Sequence, residues 1–169
     1  MEYISDNDCC FEQNGFWFRY RAAAIIIEEG CVLMAYSPQD NYYYSIGGGV
    51  HLGETSREAA AREAREETGI AYQPDRLVFT NESLFYENGK QCHVIEFYYL
   101  MKPKGRKLIK NGSIMDAAQE TSSTTKERLQ WLPLEKFAEY KAFPEFFGEK
   151  LIHIPETIEH LVSDERQQV

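Results

Sequence analysis

Apolar residues along this chain follow a strand-like rhythm, interrupted by one helix-like stretch. Residues 16–37, FWFRYRAAAIIIEEGCVLMAYS, are dense in aromatic and β-branched side chains and broken once at Glu28-Glu29-Gly30. That pattern predicts two strands joined by a glycine turn. Residues 38–44 read as a loop entering a short aromatic strand, Tyr42-Tyr43-Tyr44, and a glycine loop covers 47–53. Further strands are expected at 76–86 and 93–101 around the turn signal Glu87-Asn88-Gly89-Lys90. Residues 103–126 carry no periodicity, LQWLPL is a short strand, and 134–140 opens a helix. A last helix is placed over 144–150, or over a longer span interrupted near Pro155, before a frayed tail after Ser163.

The central helix has the clearest borders. Thr55-Ser56-Arg57-Glu58 is a capping box that starts it near residue 56, and Gly69 is a natural stop. Its last turn is the anomaly. Glu63, Glu66 and Glu67 crowd a helix end whose dipole favours basic residues. At 100° per residue all three acids share one arc, with Ala59 one turn earlier in the same arc leaving space above them. Ala61, Ala64 and Thr68 gather on another face, where small side chains let a helix lie close to a sheet. Arg62 stands four residues from both Glu58 and Glu66, able to hold a carboxylate in place. An exposed acidic face is the ordinary explanation of such a run. Against it, the acids oppose the dipole and repel one another. Three hard oxygen ligands on a rigid face suit Mg²⁺ or Mn²⁺.

Composition narrows the function classes. The 169 residues, 43% hydrophobic, suffice for one core, and no repeat or linker divides them. One domain is expected over 1–169, with its core at about 18–140 and a C-terminal helical extension at about 141–163. The formal net charge of −9 argues against an extended nucleic-acid surface. The apolar run at 22–27 is far short of a membrane span, and MEYISDNDCC lacks the features of a secretory signal. Cys9, Cys10, Cys31 and Cys92 show no metal spacing and read as reduced thiols, so a cytoplasmic setting is expected.

Residues 48–70 also resemble the signature of the Nudix hydrolase family, G-x5-E-x7-R-E-U-x-E-E-x-G-U. Gly48, Glu54, Arg62, Glu63, Glu66, Glu67 and Gly69 supply all seven fixed letters. Ile70 is a usual aliphatic, whereas Ala64 is smaller than most, and Ile46 stands where many members have proline. A chance match anywhere in the chain is on the order of one in ten million at ordinary residue frequencies. The preceding FRYRAAAIIIEEGCVLMAY strands and the WLPLEKF segment at 131–137 extend the likeness to about residues 18–140. GGVHLGET fits a phosphate-binding P-loop except that Glu54 replaces the lysine, and a carboxylate there would repel phosphates.

The resemblance implies an α/β fold, a Nudix-type α/β/α sandwich with a mixed β-sheet. It implies Mg²⁺-dependent hydrolysis, with Mn²⁺ able to substitute, of a diphosphate bond in a nucleoside diphosphate linked to another moiety. Glu63, Glu66 and Glu67 would then be metal ligands, one of them able to act as base, and the Gly48 carbonyl adds a ligand. Glu54 and Arg62 would brace the loop and the carboxylates. Many members recruit a later acid; Glu127 is the first candidate, then Glu120, then Asp116. Tyr42, Tyr43, Tyr44, Phe85 and Tyr86 are candidates to stack a base, against their more common use in a sheet core. The implied partner is a small-molecule nucleotide, with a homodimer left open. The competing reading is a non-catalytic Nudix-fold module that binds nucleotide and regulates another protein, although such a module would be expected to lose box carboxylates, and all are present.

Overall fold

A computed structural model of the chain describes residues 7–103, 114–116 and 128–166. Among the described residues the elements run β1 (Cys10–Gln13), β2 (Phe16–Ile25), β3 (Ile27–Glu28), β4 (Cys31–Ser37), β5 (Tyr42–Ser45), β6 (Gly47–Gly49), α1 (Ser56–Thr68), β7 (Tyr72–Glu87) and β8 (Lys90–Pro103). They continue with β9 (Ile114–Asp116), β10 (Arg128–Pro133), a 3₁₀ turn (Leu134–Glu139), β11 (Ala142–Phe143), α2 (Phe147–Lys150) and β12 (Glu159–Asp164).

Two mixed sheets result. The first is ordered β1-β2-β8-β7-β12, with β6 also on β2; the second is β11-β5-β4-β10-β9, with β3 on β4. The β2/β8, β7/β12 and β5/β11 pairs are parallel and the others antiparallel. The long β7–β8 hairpin closes where the turn signal sits, with Glu87 opposite Lys90 and positive φ at Asn88 and Gly89. Asn14-Gly15 closes the β1–β2 hairpin in the same way, with Gln13 opposite Phe16. That dipeptide was the available signal for β1, which the periodicity alone does not reveal.

Two apolar clusters fill the fold. One packs Ala59, Ala60 and Ala64 of α1 against Ala22 and Ala24 of β2, with Trp131 and Tyr99 behind them. The other joins Ala23, Ile25, Phe79 and Tyr98 to Phe147 of α2. The alternation of β2 explains the split, since successive residues of a strand face opposite sides. Small residues at 22–24 let α1 and the glycine strand both approach this strand closely.

Three expectations change. The stretch at 47–49 is not loop but the strand β6, paired to β2 with Arg21 opposite Gly49 and Ala23 opposite Gly47. The C-terminal extension is not predominantly helical. Its α2 spans four residues, and residues 159–164 form β12 alongside β7, Leu161 opposite Asn81 and Ser163 opposite Ser83. The alternating burial of β12 shows why: Leu161 and Ser163 turn inward while His160 and Val162 face solvent, a period of two. The Arg76 guanidinium of β7 donates to the Pro155 carbonyl at 2.7 Å, tying the chain ahead of β12 to β7. Third, α1 docks on Ser56, Ala59, Ala60, Ala64, Glu67 and Thr68, with Ala61 only half-buried. Ala59 is therefore packed into the core.

The borders of α1 are as expected. Thr55 accepts from the Glu58 amide, Glu58 reciprocates to the Thr55 amide at 2.9 Å, and Gly69 ends the helix at φ 71°. Among the described residues no helix is long and apolar enough to cross a membrane. Replacing Thr55 by Ala removes the cap, and its expected cost is about 1 kcal/mol. Thermal unfolding should register that as a Tm lower by about 2–4 °C for a chain of this size.

Candidate active site

The buried stripe of α1 and its acidic arc overlap, so the helix meets the sheet acid-first. Its N-terminal half fills the contact with Ser56, Ala59 and Ala60. Its C-terminal half brings Glu63 and Glu67 to the glycine strand β6, whose lack of side chains makes room. A Cβ on Gly48 would collide with the Glu63 carboxylate, 2.8 Å from Oε2 and nearer still to Oε1. Glycine at 48 thus lets that carboxylate lie where it does; a side chain there would make the end of Glu63 shift.

Arg62 organises the acids. Its Nε and Nη2 donate to the two oxygens of Glu54, each at 2.9 Å, and Nη2 also donates to the Gly49 carbonyl at 2.9 Å. Its Nη1 donates to Glu63 and, at 3.3 Å, to Glu66. Glu58, four residues earlier, is instead consumed by the capping box. A guanidinium presents five donors in a planar fork, and here they serve three carboxylates and a backbone carbonyl. Burial alone would push the Glu54 carboxyl up, but hydrogen bonds from Arg62 and from the His51 amide (3.0 Å) hold it below the usual range. Glu63 goes the other way. Its burial raises the carboxyl above the usual range despite the pull of Arg62.

The three helix acids therefore have three environments. Glu63 lies between Arg62 and Gly48. Glu66 is half-exposed, touching Arg62 from the solvent side. Glu67 is only 7% exposed, and its Oε1 accepts the Gly47 amide at 2.8 Å. Among the described residues no three His, Cys, Asp or Glu side chains are placed together so that they could hold a metal ion. The donor set nevertheless suits a hard dication. Glu63 and Glu66 converge on a single nitrogen of Arg62, all the available atoms are oxygens, and the bare Gly48 backbone lies against one of the carboxylates. Glu127 and Glu120 lie outside the described residues. Asp116 is in β9, opposite Arg128.

Sequence reading missed a second charged layer on β2. Arg21 donates to the Ser45 hydroxyl at 3.0 Å, the Ser45 carbonyl at 2.7 Å and the Gly47 carbonyl at 3.2 Å. Arg19 meets Asp8 at 3.5 Å, and Asp8 lies 3.4 Å from His51. Burial, with Arg21 nearby, brings the Arg19 guanidinium down to about 10. The available signal was two arginines at alternate positions in an otherwise apolar strand, hence on one face. Of the aromatic candidates, Tyr43 and Tyr44 pack at the edges of the two cores, and Tyr86 is 64% exposed beside its hairpin turn.

Removing the Glu67 side chain leaves the Gly47 amide without its acceptor, so Glu67→Ala should cost about 1–3 kcal/mol. Glu66→Ala, at an exposed position, should stay within about 0.5 kcal/mol of wild type in the same metal-free denaturation experiment.

A NUDIX domain family model matches residues 17–150. Among solved structures, the mutator MutT protein from Bacillus halodurans is 18% identical with a TM-score of 0.59, over 84% of this chain and 89% of that one. A UDP-X diphosphatase is 16% identical with a TM-score of 0.57, over 85% and 66% of the two chains. An ADP-ribose pyrophosphatase from Streptococcus suis 89-1591 is 13% identical with a TM-score of 0.55, over 86% and 98%. At such identities the likeness is one of fold, a mixed-sheet α/β architecture. No curated protein matches the chain significantly. The family match, spanning most of the chain and containing the whole Arg62 cluster, makes this protein a member of the Nudix family, a hydrolase acting on phosphoric anhydride bonds.

Proposed function

We propose that the chain is a pyrophosphohydrolase dependent on Mg²⁺, with Mn²⁺ able to substitute, that cleaves the diphosphate bond of a nucleoside diphosphate linked to another moiety. The observation that carries this reading is the convergence of Glu63 and Glu66 on Arg62 beside the bare backbone of Gly48. ADP-ribose pyrophosphatase and UDP-X diphosphatase, the names borne by two structural neighbours, belong to the same substrate class. Free cysteines suit the reducing cytoplasm, where such nucleotides are found.

In this reading Glu63, Glu66 and Glu67 hold the metal with the Gly48 carbonyl, and Glu127 is the candidate acid from the later loop. The bound dication supplies charge neutralisation at the diphosphate and a more acidic water. The remaining work falls to the protein. Arg62 keeps mutually repelling carboxylates within one turn of each other and ties them to Gly49. Glu54, held ionised by Arg62 and the His51 amide, anchors that guanidinium in turn. Glu67 fixes the glycine strand through the Gly47 amide. One of the helix carboxylates takes the proton from water as its oxygen adds to phosphorus. The bridging P–O bond breaks and leaves two phosphate products.

The purified chain with Mg²⁺ should release phosphate-bearing products from at least one of ADP-ribose, nucleotide sugars, dinucleoside polyphosphates or nucleoside triphosphates. Glu66→Gln or Glu67→Gln should reduce kcat at least about a hundredfold, the scale of removing a group that acts in the transition state. A regulatory module would bind nucleotide and hydrolyse none of the panel. Metal binding has its own readout. Mg²⁺ at ten times its Kd should add about 1.4 kcal/mol, or about 3–6 °C in Tm. The Glu63→Gln/Glu67→Gln double variant should show no such rise; an equal rise there would overturn the metal assignment.

A further inference from the structure

Strand β2 buries two positive charges, and one has its counter-charge in β8. In the parallel β2/β8 ladder Arg21 stands opposite Glu96, and in the antiparallel β8/β7 ladder Glu96 stands opposite Asn81. All three face the same side of the sheet. Arg21 Nη1 lies 3.7 Å from Glu96 Oε1. The other Glu96 oxygen accepts from Asn81 Nδ2 at 2.9 Å and from the Ser83 hydroxyl at 2.7 Å. The Asn81 oxygen accepts from Ser163 of β12 at 3.1 Å, which brings the C-terminal strand into the network. The fully buried Tyr98 hydroxyl interacts with both Glu96 and Ser45, so Arg21, Ser45, Tyr98 and Glu96 form a ring of interacting polar groups.

Such a ring is not an economical source of stability. Buried ion pairs often contribute no more than well-packed apolar residues of the same volume, because both charges lose their water. What this ring does supply is a further grip on a segment that is otherwise held only through its backbone. Gly47-Gly48-Gly49 has no side chains to pack, and glycine has the largest backbone freedom to lose. The Gly47 carbonyl is held by Arg21 and its amide by Glu67, so the peptide units on either side of this one residue are clamped, one from β2 and the other from α1. Ser45, two residues earlier, is held by the same guanidinium through both hydroxyl and carbonyl. Gly48, which leaves room for Glu63, is the next residue along.

We propose that Glu96 is a positioning residue for the site: by holding Arg21 against the Ser45 and Gly47 carbonyls, it sets the glycine backbone on which Glu63 and Glu67 depend. Glu96 touches neither metal nor substrate in this role, and its kinetic consequence rests on the pyrophosphohydrolase reading above. Asn81, Ser83 and Ser163 orient Glu96, which extends the support of the site across β7 to β12.

The test uses the full chain and two independent readouts. Glu96→Gln keeps the shape and loses the charge; Arg21→Lys keeps the charge and cannot bridge two carbonyls and a hydroxyl. On whichever nucleotide the wild type hydrolyses, each variant should lose kcat on the order of tenfold or more, up to the roughly hundredfold that a misplacement near 1 Å can cost. KM should stay within about twofold, because the loss falls on the chemical step. The double variant should be little worse than either single, since both break one ring. In metal-free protein, hydrogen exchange across residues 45–50 should accelerate in both variants while α1 keeps its protection. Unchanged kcat, a rise confined to KM, additive losses, or unchanged exchange at 45–50 would each overturn the proposal. Should Glu96→Gln fail to fold, Ser83→Ala removes one orienting bond, and the same loss of kcat and faster exchange are expected in weaker form. A wild type that hydrolyses none of the panel would sink the functional reading, and the exchange measurement would still decide whether Glu96 positions the strand.

Discussion

One guanidinium makes the acidic end of α1 tolerable. Without Arg62, Glu63, Glu66 and Glu67 would repel one another at a helix end that already disfavours negative charge. With it, Glu54, Glu63 and Glu66 share a planar donor fork, and the Gly49 carbonyl takes a further bond. The same group thus neutralises the carboxylates, bridges helix to glycine strand and fixes the chain entering the helix. That triple role explains why the surrounding sequence is so constrained. Replacing the guanidinium by an ammonium would retain charge and lose the geometry.

The glycine strand is the complement of that arrangement. A helix usually meets a sheet with apolar side chains; α1 meets β6 with carboxylates, and only a strand without side chains gives them space. The alanines of β2 and α1 serve the same end from the other side, letting backbone approach backbone. Position comes from outside, through Arg21 on the Gly47 carbonyl and Glu67 on the Gly47 amide. Fold and site are consequently inseparable here: the contacts that dock the helix are those that arrange the proposed metal ligands.

How much was legible in sequence depended on distance along the chain. The capping box, the Gly69 stop, the Asn88-Gly89 hairpin and the spacing from Gly48 to Ile70 are all local, and each appears where the residues predict it. Arg62 was expected to brace Glu58 and Glu66; it does bond Glu66, but Glu58 belongs to the capping box. Glu54 lies eight residues away and reaches Arg62 only because the loop folds back over the helix. The docking face was misplaced toward Ala61, because helical geometry shows which residues share a face but not which face meets the sheet. Strand β12 was hidden for a related reason. Its alternation is short, and it becomes a strand by pairing with β7, about eighty positions earlier in the chain.

What the amino-acid sequence determined by itself was the chemistry on offer and its local frame: a capped helix, a glycine stretch before it, and an ordered set of carboxylates with one arginine among them. These depend on steric and hydrogen-bonding rules acting over a few residues. Tertiary structure alone decided that Glu63 and Glu67 turn inward while Glu66 stays at the surface, and that Arg21, Glu96, Asn81 and Ser163 meet across four strands. Burial and electrostatic pairing are properties of what lies across a sheet. Strand order and register set those neighbours, and no short stretch of the chain encodes either one.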